Sequence, residues 1–186
     1  MKNLAYKQYI FEIVAAGLLI AIGILIPMVS PLRIIIPPAS YTLGVHVPIF
    51  IAMFISPRVA IAVAIGTTAG FFMGGFPLVI VLRAASHLLY VIPGALFLSK
   101  IDKFNFRGVR LRVFSLVMAL IHAVAETAAV LFFFMGTSFP EGQGVLWVLG
   151  FVGLGTIIHS MFDLEIANIV RVALHKQKSL RKQLGA

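Results

Sequence analysis

The most constraining feature of the sequence is residues 76–100, an apolar stretch long enough to cross a lipid bilayer that nevertheless carries Arg83 and His87. Because four residues make just over one helical turn, both side chains leave the helix on the same face. A cation near the middle of a membrane costs roughly 2.5–3.5 kcal/mol on insertion scales. The sequence therefore predicts that other parts of the chain supply a partner or a polar cavity for Arg83.

The composition is that of an integral membrane protein. Of the 186 residues, 61% are hydrophobic and only 11% are charged, which is too little polar surface for a soluble domain. We expect an all-α protein in which residues 1–186 form a single transmembrane domain. The absence of cysteine excludes disulfides and thiolate metal sites. Glu12 interrupts the first apolar run and no small-residue cleavage site follows it, so a cleavable signal peptide is not expected.

Apolar stretches predict six transmembrane helices, at residues 9–26, 41–55, 59–75, 76–100, 113–135 and 145–170. Residues 30–40 are apolar but interrupted by proline, so they are predicted to form a lid or an interfacial loop rather than a span. The net charge of +9 comes largely from basic clusters at residues 100–112 and 171–182. Such clusters flank spans on the cytoplasmic side, so both termini are predicted to be cytoplasmic and nucleic-acid binding is not expected.

Ionisable residues in three consecutive spans fall at similar predicted depths. With a rise of about 1.5 Å per residue, Arg83 and Glu126 lie in the outer half of the bilayer. Three histidines lie closer to its middle. Residues of this kind face a bundle interior or a water-filled cavity, which predicts a pocket lined by spans four to six and open to the outside. The predicted substrate-binding residues are Arg83, His87, Tyr90, His122, Glu126 and His159.

A purely structural interpretation of these residues stays open. Arg83 and Glu126 would then pair only to lock two helices together. Asp163 and Glu165 are predicted to lie on the cytoplasmic side, where they pair with basic loop residues or contact a partner. His46, alone on span two, is predicted to be a packed histidine with its hydrogen bonds satisfied.

An intramembrane metalloenzyme is the alternative from another class of protein. The pairs His122/Glu126 and His159/Asp163 each place a histidine four residues before an acid, and such pairs are able to chelate a metal. The sequence contains no zinc-protease motif, no nucleophile-elbow motif and no P-loop. A protein that is not an enzyme and holds no metal is therefore favoured.

The first span carries the small residues Ala15, Gly17 and Ala21, which allow another helix to approach closely. With this helix, the six predicted spans and the apolar first loop, the chain resembles the substrate-binding S components of energy-coupling factor (ECF) vitamin transporters. Residues 37–87 are similar to members for niacin uptake. The alanine-xxx-alanine signature of that family is matched here by Gly17 and Ala21, which is a small departure from it.

The resemblance implies a bacterial cell-membrane protein that captures one vitamin near the outer face. It also implies a transmembrane coupling subunit that docks on Ala15, Gly17 and Ala21, and two cytoplasmic ATPases. This chain has no ATP-binding motif and is expected to carry no cofactor of its own. Niacin is the first choice of substrate because Arg83 would bind its carboxylate. Pyridoxine, a hydroxymethylpyrimidine and pantothenate remain alternatives, and a paired Arg83 and Glu126 would favour a neutral, hydroxylated ring.

Overall fold

The computed structural model describes residues 2–103 and 105–183, without the side chains of residues 2–4 and 178–183, so the predicted basic cluster at 171–182 lies partly outside the described side chains. The regular secondary structure of the described chain is helical apart from one small hairpin. Its elements are α1 (Lys2–Val29), β1 (Arg33–Ile36), β2 (Ala39–Thr42), α2 (Val47–Ile55), α3 (Pro57–Met73), α4 (Leu78–Ser86), α5 (Leu88–Ser99), α6 (Gly108–Met135), α7 (Val145–Trp147), a π-helical segment (Val148–Leu154) and α8 (Gly155–Gln183).

Four helical stretches are long and apolar enough to cross a membrane: Ala5–Val29, Leu78–Ser99, Gly108–Met135 and Val145–Gln177. They correspond to predicted spans one, four, five and six. Helix α3 is apolar but shorter, with 17 residues, and α2 has only nine. The chain is therefore an all-helical, multi-pass membrane protein, as its composition predicts.

Helices α1 and α3 pack closely because glycines on α3 leave room for branched side chains of α1. A Cβ atom added at Gly66 would overlap Ile20, and one added at Gly70 would overlap Ile24. Gly17 differs from these glycines, since an added Cβ there would meet no atom within 4 Å. The glycines of α3 thus lie on a surface inside the bundle, whereas Gly17 of α1 lies on a surface outside it.

The predicted non-spanning segment at residues 30–40 is confirmed as non-helical. It contributes to an antiparallel hairpin in which Arg33 pairs with Thr42. The indole nitrogen of Trp147 donates a hydrogen bond to the Pro37 carbonyl at 2.8 Å, and the Tyr41 hydroxyl donates to a backbone carbonyl of the π-helical segment. The hairpin is therefore fastened to the segment that leads into α8.

The predicted second span, residues 41–55, is wrong at its N-terminal end. Residues 41–42 belong to strand β2, Gly44 has a φ of +86°, and α2 begins only at Val47 with Pro48 in its first turn. Glycine adopts that left-handed conformation readily, and proline is favoured in a first turn, so both delay the start of the helix. Non-helical backbone consequently enters the bundle interior around His46, where its N–H groups need acceptors.

Candidate functional site

Glu126 on α6 lies at the centre of a buried polar cluster. Its Oε2 accepts hydrogen bonds from Arg83 Nη2 at 2.9 Å and from Thr156 Oγ1 at 2.6 Å. Its Oε1 lies 3.2 Å from His87 Nε2 and 3.4 Å from His122 Nε2. All five side chains are buried. The three helical regions that the sequence predicts to converge therefore meet at one carboxylate.

Four imidazole rings form a second part of the cluster. The ring centroid of His46 lies 4.9 Å from that of His87, 4.7 Å from that of His122 and 5.0 Å from that of His159. His46 is buried and its Nδ1 lies 3.1 Å from Asp163 Oδ2, which confirms a packed histidine with a hydrogen bond. The sequence analysis nevertheless missed its place in the cluster, because a lone histidine in a short apolar segment carries no spacing pattern.

Asp163 is fully buried and accepts hydrogen bonds from the backbone N–H groups of Gly44 at 2.7 Å and His46 at 2.9 Å. The prediction that Asp163 pairs with basic loop residues or contacts a partner is wrong. The late start of α2 leaves these N–H groups without helical acceptors inside the bundle, and the carboxylate supplies the acceptor that they need. The neighbouring Glu165 is exposed, and its contact with a partner stays a prediction.

The two remaining predicted residues also lie in the cluster. Tyr90 is fully buried, its ring centroid lies 4.4 Å from that of His122, and its hydroxyl has no hydrogen-bond partner among the described residues. His159 places its Nε2 3.4 Å from Asp163 Oδ2, without the geometry of a hydrogen bond. The structure thus brings all six predicted residues together, and their contact with a substrate stays a prediction.

A small cavity of about 70 Å³ opens beside this cluster, beneath the hairpin. Arg83, His87 and Glu126 line it from the bundle, and Phe71 and Phe76 add apolar walls. Its volume is far below the roughly 300–1,000 Å³ typical of pockets for drug-sized ligands, so it admits only a small molecule.

The hairpin contributes three further lining residues that the sequence analysis did not assign to the site, namely Arg33, Ser40 and Thr42. Arg33 is exposed and brings a second cation to the cavity. Its position follows from the pairing of the two strands, for which the sequence offered no pattern. The hairpin therefore forms part of the site and does not merely connect two spans.

A larger groove of about 760 Å³ lies between the far ends of α5 and α6, away from the cluster. Its walls are mostly apolar, with Phe97, Phe106 and Phe114 among them. The polar residues that line it, Asp102, Asn105 and Arg110, are all exposed near the connecting loop. Among the described residues, no buried charged group lines this groove, so the smaller cavity is the better candidate for binding a polar solute inside the membrane.

The fold is that of a multi-pass helical membrane protein with a cavity lined by buried charged groups beneath a hairpin. No protein-family model and no solved structure matches the chain. The chain is 39% identical over 162 residues to the niacin transporter NiaX of Lactococcus lactis subsp. cremoris (strain MG1363), covering 87% of this chain and 73% of that protein. The chain belongs to the niacin-type S components of ECF transporters, as the sequence resemblance predicts. It is thus a transporter subunit and not an enzyme.

Proposed function

We propose that this chain captures niacin at the outer face of a bacterial cell membrane and delivers it as the S component of an ECF-type importer. The relative NiaX, at 39% identity, supports niacin as the substrate. In this proposal α2 and α3 are the two shorter of six spans. Both termini lie in the cytoplasm, because the basic clusters at residues 100–112 and 171–182 are typical of segments that flank spans on the cytoplasmic side.

The unused hydrogen-bonding capacity of Arg83 is the observation that carries the choice of a carboxylate ligand. A guanidinium group has five N–H donors. Arg83 donates to Glu126 through Nη2, while its Nε is buried and has no hydrogen-bond partner in the described part of the chain. The pair with Glu126, which by itself would favour a neutral, hydroxylated ring, therefore leaves donors of Arg83 unused. A nicotinate carboxylate would accept from the remaining donors, and Arg33 would add a second positive charge at the cavity.

The remaining walls of the cavity suit a small aromatic ring. Phe71 and Phe76 supply apolar and aromatic surface, and their ring centroids are 4.7 Å apart. His46 and His87 line the cavity as well, and an imidazole is able to donate a hydrogen bond to a pyridine nitrogen. The small volume also favours nicotinate over pantothenate, which is a larger and more extended molecule.

We propose further that a transmembrane coupling subunit docks on α1 and that two cytoplasmic ATPases hydrolyse ATP for transport. Gly17 and Ala21 are exposed on α1, and Ala15 is half-buried. An added Cβ on Gly17 would meet no atom within 4 Å in the described part of the chain. The smallness of this surface is not explained by packing within the chain, and it would allow a helix of another subunit to approach closely.

The first experiment is mass spectrometry of small molecules released from the purified, undialysed protein, followed by calorimetric titration with nicotinate. Nicotinamide, which keeps the ring but replaces the carboxylate by an amide, is the matched control ligand. We expect one nicotinate per chain and weaker binding of nicotinamide. Release of pyridoxine, a hydroxymethylpyrimidine or pantothenate would replace niacin as the substrate. Absence of any bound or titratable vitamin would contradict the proposal.

A further inference from the structure

We propose that the histidine cluster holds a divalent transition-metal ion of the zinc type, coordinated by His46, His87, His122 and Glu126. The ligand atoms of these four residues all lie within 4.8 Å of one another, and all four residues are buried. This inference concerns the same region as the proposed niacin site but rests on the geometry of the cluster alone. It differs from the expectation, drawn from the sequence, that the chain holds no metal.

The charges of the buried cluster do not balance. The buried cluster contains one permanent cation, Arg83, and two carboxylates, Glu126 and Asp163. A net negative charge in a low-dielectric interior is unfavourable unless a cation compensates it. Arg33 is exposed, where solvent screens its charge. A proton on one of the imidazoles would cancel this net charge of −1, whereas a bound divalent ion would change it to +1.

The spacing of the ligand atoms fits a tetrahedral ion. With Zn–N and Zn–O bonds of about 2.0–2.2 Å, two ligands of a tetrahedral zinc ion lie about 3.3–3.5 Å apart. The Nε2 atoms of His122 and His87 lie 3.4 and 3.2 Å from Glu126 Oε1. His122 Nε2 is buried and makes no hydrogen bond within the described chain in spite of this closeness. Its position is that of a ligand atom beside another ligand atom.

Orienting contacts complete the resemblance to a metal site. Histidines that bind metals usually hold their second ring nitrogen by a hydrogen bond, which fixes the ring and its tautomer. His122 Nδ1 lies 3.1 Å from Ser160 Oγ, and His46 Nδ1 lies 3.1 Å from Asp163 Oδ2. Each contact leaves the Nε2 atom of that ring for another partner.

Glu126 is oriented in the same manner. Arg83 and Thr156 both donate to its Oε2, which leaves Oε1 beside the imidazoles. Because His46, His87 and Glu126 also line the 70 Å³ cavity, an ion held by them would face a ligand bound there. The second group with metal-binding spacing, His46, His159 and Asp163, shares His46 with the first. We assign the ion to the first group because it contains more imidazoles and all four of its residues are buried, whereas His159 in the second group is only half-buried.

The test is a calorimetric titration of the full chain with Zn²⁺ alone, in detergent, after treatment with a chelator. The purification tag must contain no histidine. We expect one Zn²⁺ per chain and no binding of Mg²⁺, which prefers oxygen ligands. His122→Ala should lower the affinity for Zn²⁺ by more than the roughly 10–100-fold typical of a lost outer contact, and Ser160→Ala by roughly 10-fold. His175→Ala, at an exposed position near the end of α8, is the matched control and should bind as the unmodified chain does.

Thermal unfolding of each variant shows whether a loss of zinc binding reflects a loss of fold. Failure of the folded, unmodified chain to bind Zn²⁺ would overturn the inference and leave a proton as the compensating charge. Equal zinc affinity of His122→Ala and His175→Ala would overturn it as well. Titration of the same stripped protein with nicotinate separates the two proposals. Nicotinate binding without zinc binding would contradict only the proposed metal site. Zinc binding without nicotinate binding would contradict only the proposed substrate.

Discussion

Arg83 and Arg171 are anchored in this protein in different ways. Arg83 is buried and pairs with the carboxylate of Glu126 in a cluster of other ionisable groups. Arg171 on α8 is half-buried and donates to the backbone carbonyl groups of Lys103 and Phe106, which belong to the loop between α5 and α6. One arginine thus faces a charge, whereas the other faces neutral carbonyl groups.

Arg171 connects α8 to the end of α2 and to the loop between α5 and α6. Its guanidinium group lies 4.5 Å from the centroid of the Phe54 ring and donates to Asn168 Oδ1 at 2.6 Å. Lys103 adds to this connection, since its Nζ donates to the carbonyl groups of Phe54 and Ile55 at the end of α2. Burial lowers the pKa of the Lys103 ammonium group. These contacts explain Arg171 as a structural residue, whereas the histidines around Arg83 and its place in the wall of the cavity point to a binding site.

Glu126→Gln should produce the largest effect on stability. The amide keeps the shape of the side chain but removes the negative charge, so Arg83 stays buried without its counter-ion. Breaking a buried pair in this manner costs about 3–5 kcal/mol of unfolding free energy. Thermal or denaturant unfolding in detergent measures it, with Asn168→Ala beside Arg171 as a milder comparison. A Glu126→Gln protein as stable as the unmodified chain would show that the pair is not what holds Arg83.

Arg83→Ala should weaken nicotinate binding by about 1.5–3 kcal/mol, because a charged hydrogen bond to the carboxylate is lost. Titration calorimetry on the folded variant measures the change, and nicotinamide affinity should change less. The matched control is Arg171→Ala, which removes an arginine side chain that contacts backbone carbonyl groups of the loop between α5 and α6. Unchanged nicotinate affinity in a folded Arg83→Ala protein would show that Arg83 does not bind nicotinate.

Arg171→Ala should lower the unfolding free energy by about 1–3 kcal/mol, because the carbonyl groups of Lys103 and Phe106 lose their donor. Nicotinate affinity should remain unchanged, since Arg171 does not line the cavity. Parallel unfolding and titration measurements on one preparation separate the two quantities. A clear loss of nicotinate affinity at full stability would contradict the distinction between the two arginines.

Gly17→Leu should have the smallest effect on the stability and nicotinate affinity of the isolated chain. The substitution leaves the contacts of Arg83 and Arg171 unchanged, and a Cβ added at Gly17 meets open space in the described chain. We expect unchanged nicotinate affinity but loss of assembly with the coupling subunit, measured by co-purification. Gly70→Leu is the matched control, since its side chain would overlap Ile24 and destabilise the chain itself. Normal assembly of Gly17→Leu would place the docking surface elsewhere.

The sequence predicted the convergence of Arg83, His87, His122 and Glu126 because a charged group in a long apolar helix has only the bundle interior to face. It failed for Asp163, because the environment of this residue depends on where α2 begins. Strand pairing with β1 removes residues 41–42 from that helix, and no local pattern shows it.

The last span is not a regular α-helix throughout. The π-helical segment Val148–Leu154 changes the number of residues per turn ahead of His159 and Asp163, so depths counted at a regular α-helical rise do not apply to them. The hairpin could be predicted only as a non-helical segment, since proline excludes a spanning helix but does not specify which strands will pair. Arg33 therefore entered the site only once the structure placed it there.

The fastening of the hairpin has a practical consequence. The chain contains one tryptophan, and that residue is Trp147, whose indole nitrogen donates to Pro37 while its ring lies 4.2 Å from that of Phe151. Indole emission responds to hydrogen bonding and to neighbouring rings, and no other tryptophan contributes a background. Any displacement of the hairpin that admits a ligand would change the surroundings of this fluorophore. For the proposed capture of nicotinate, Trp147 is therefore an intrinsic optical probe of the hairpin, readable in real time without a label.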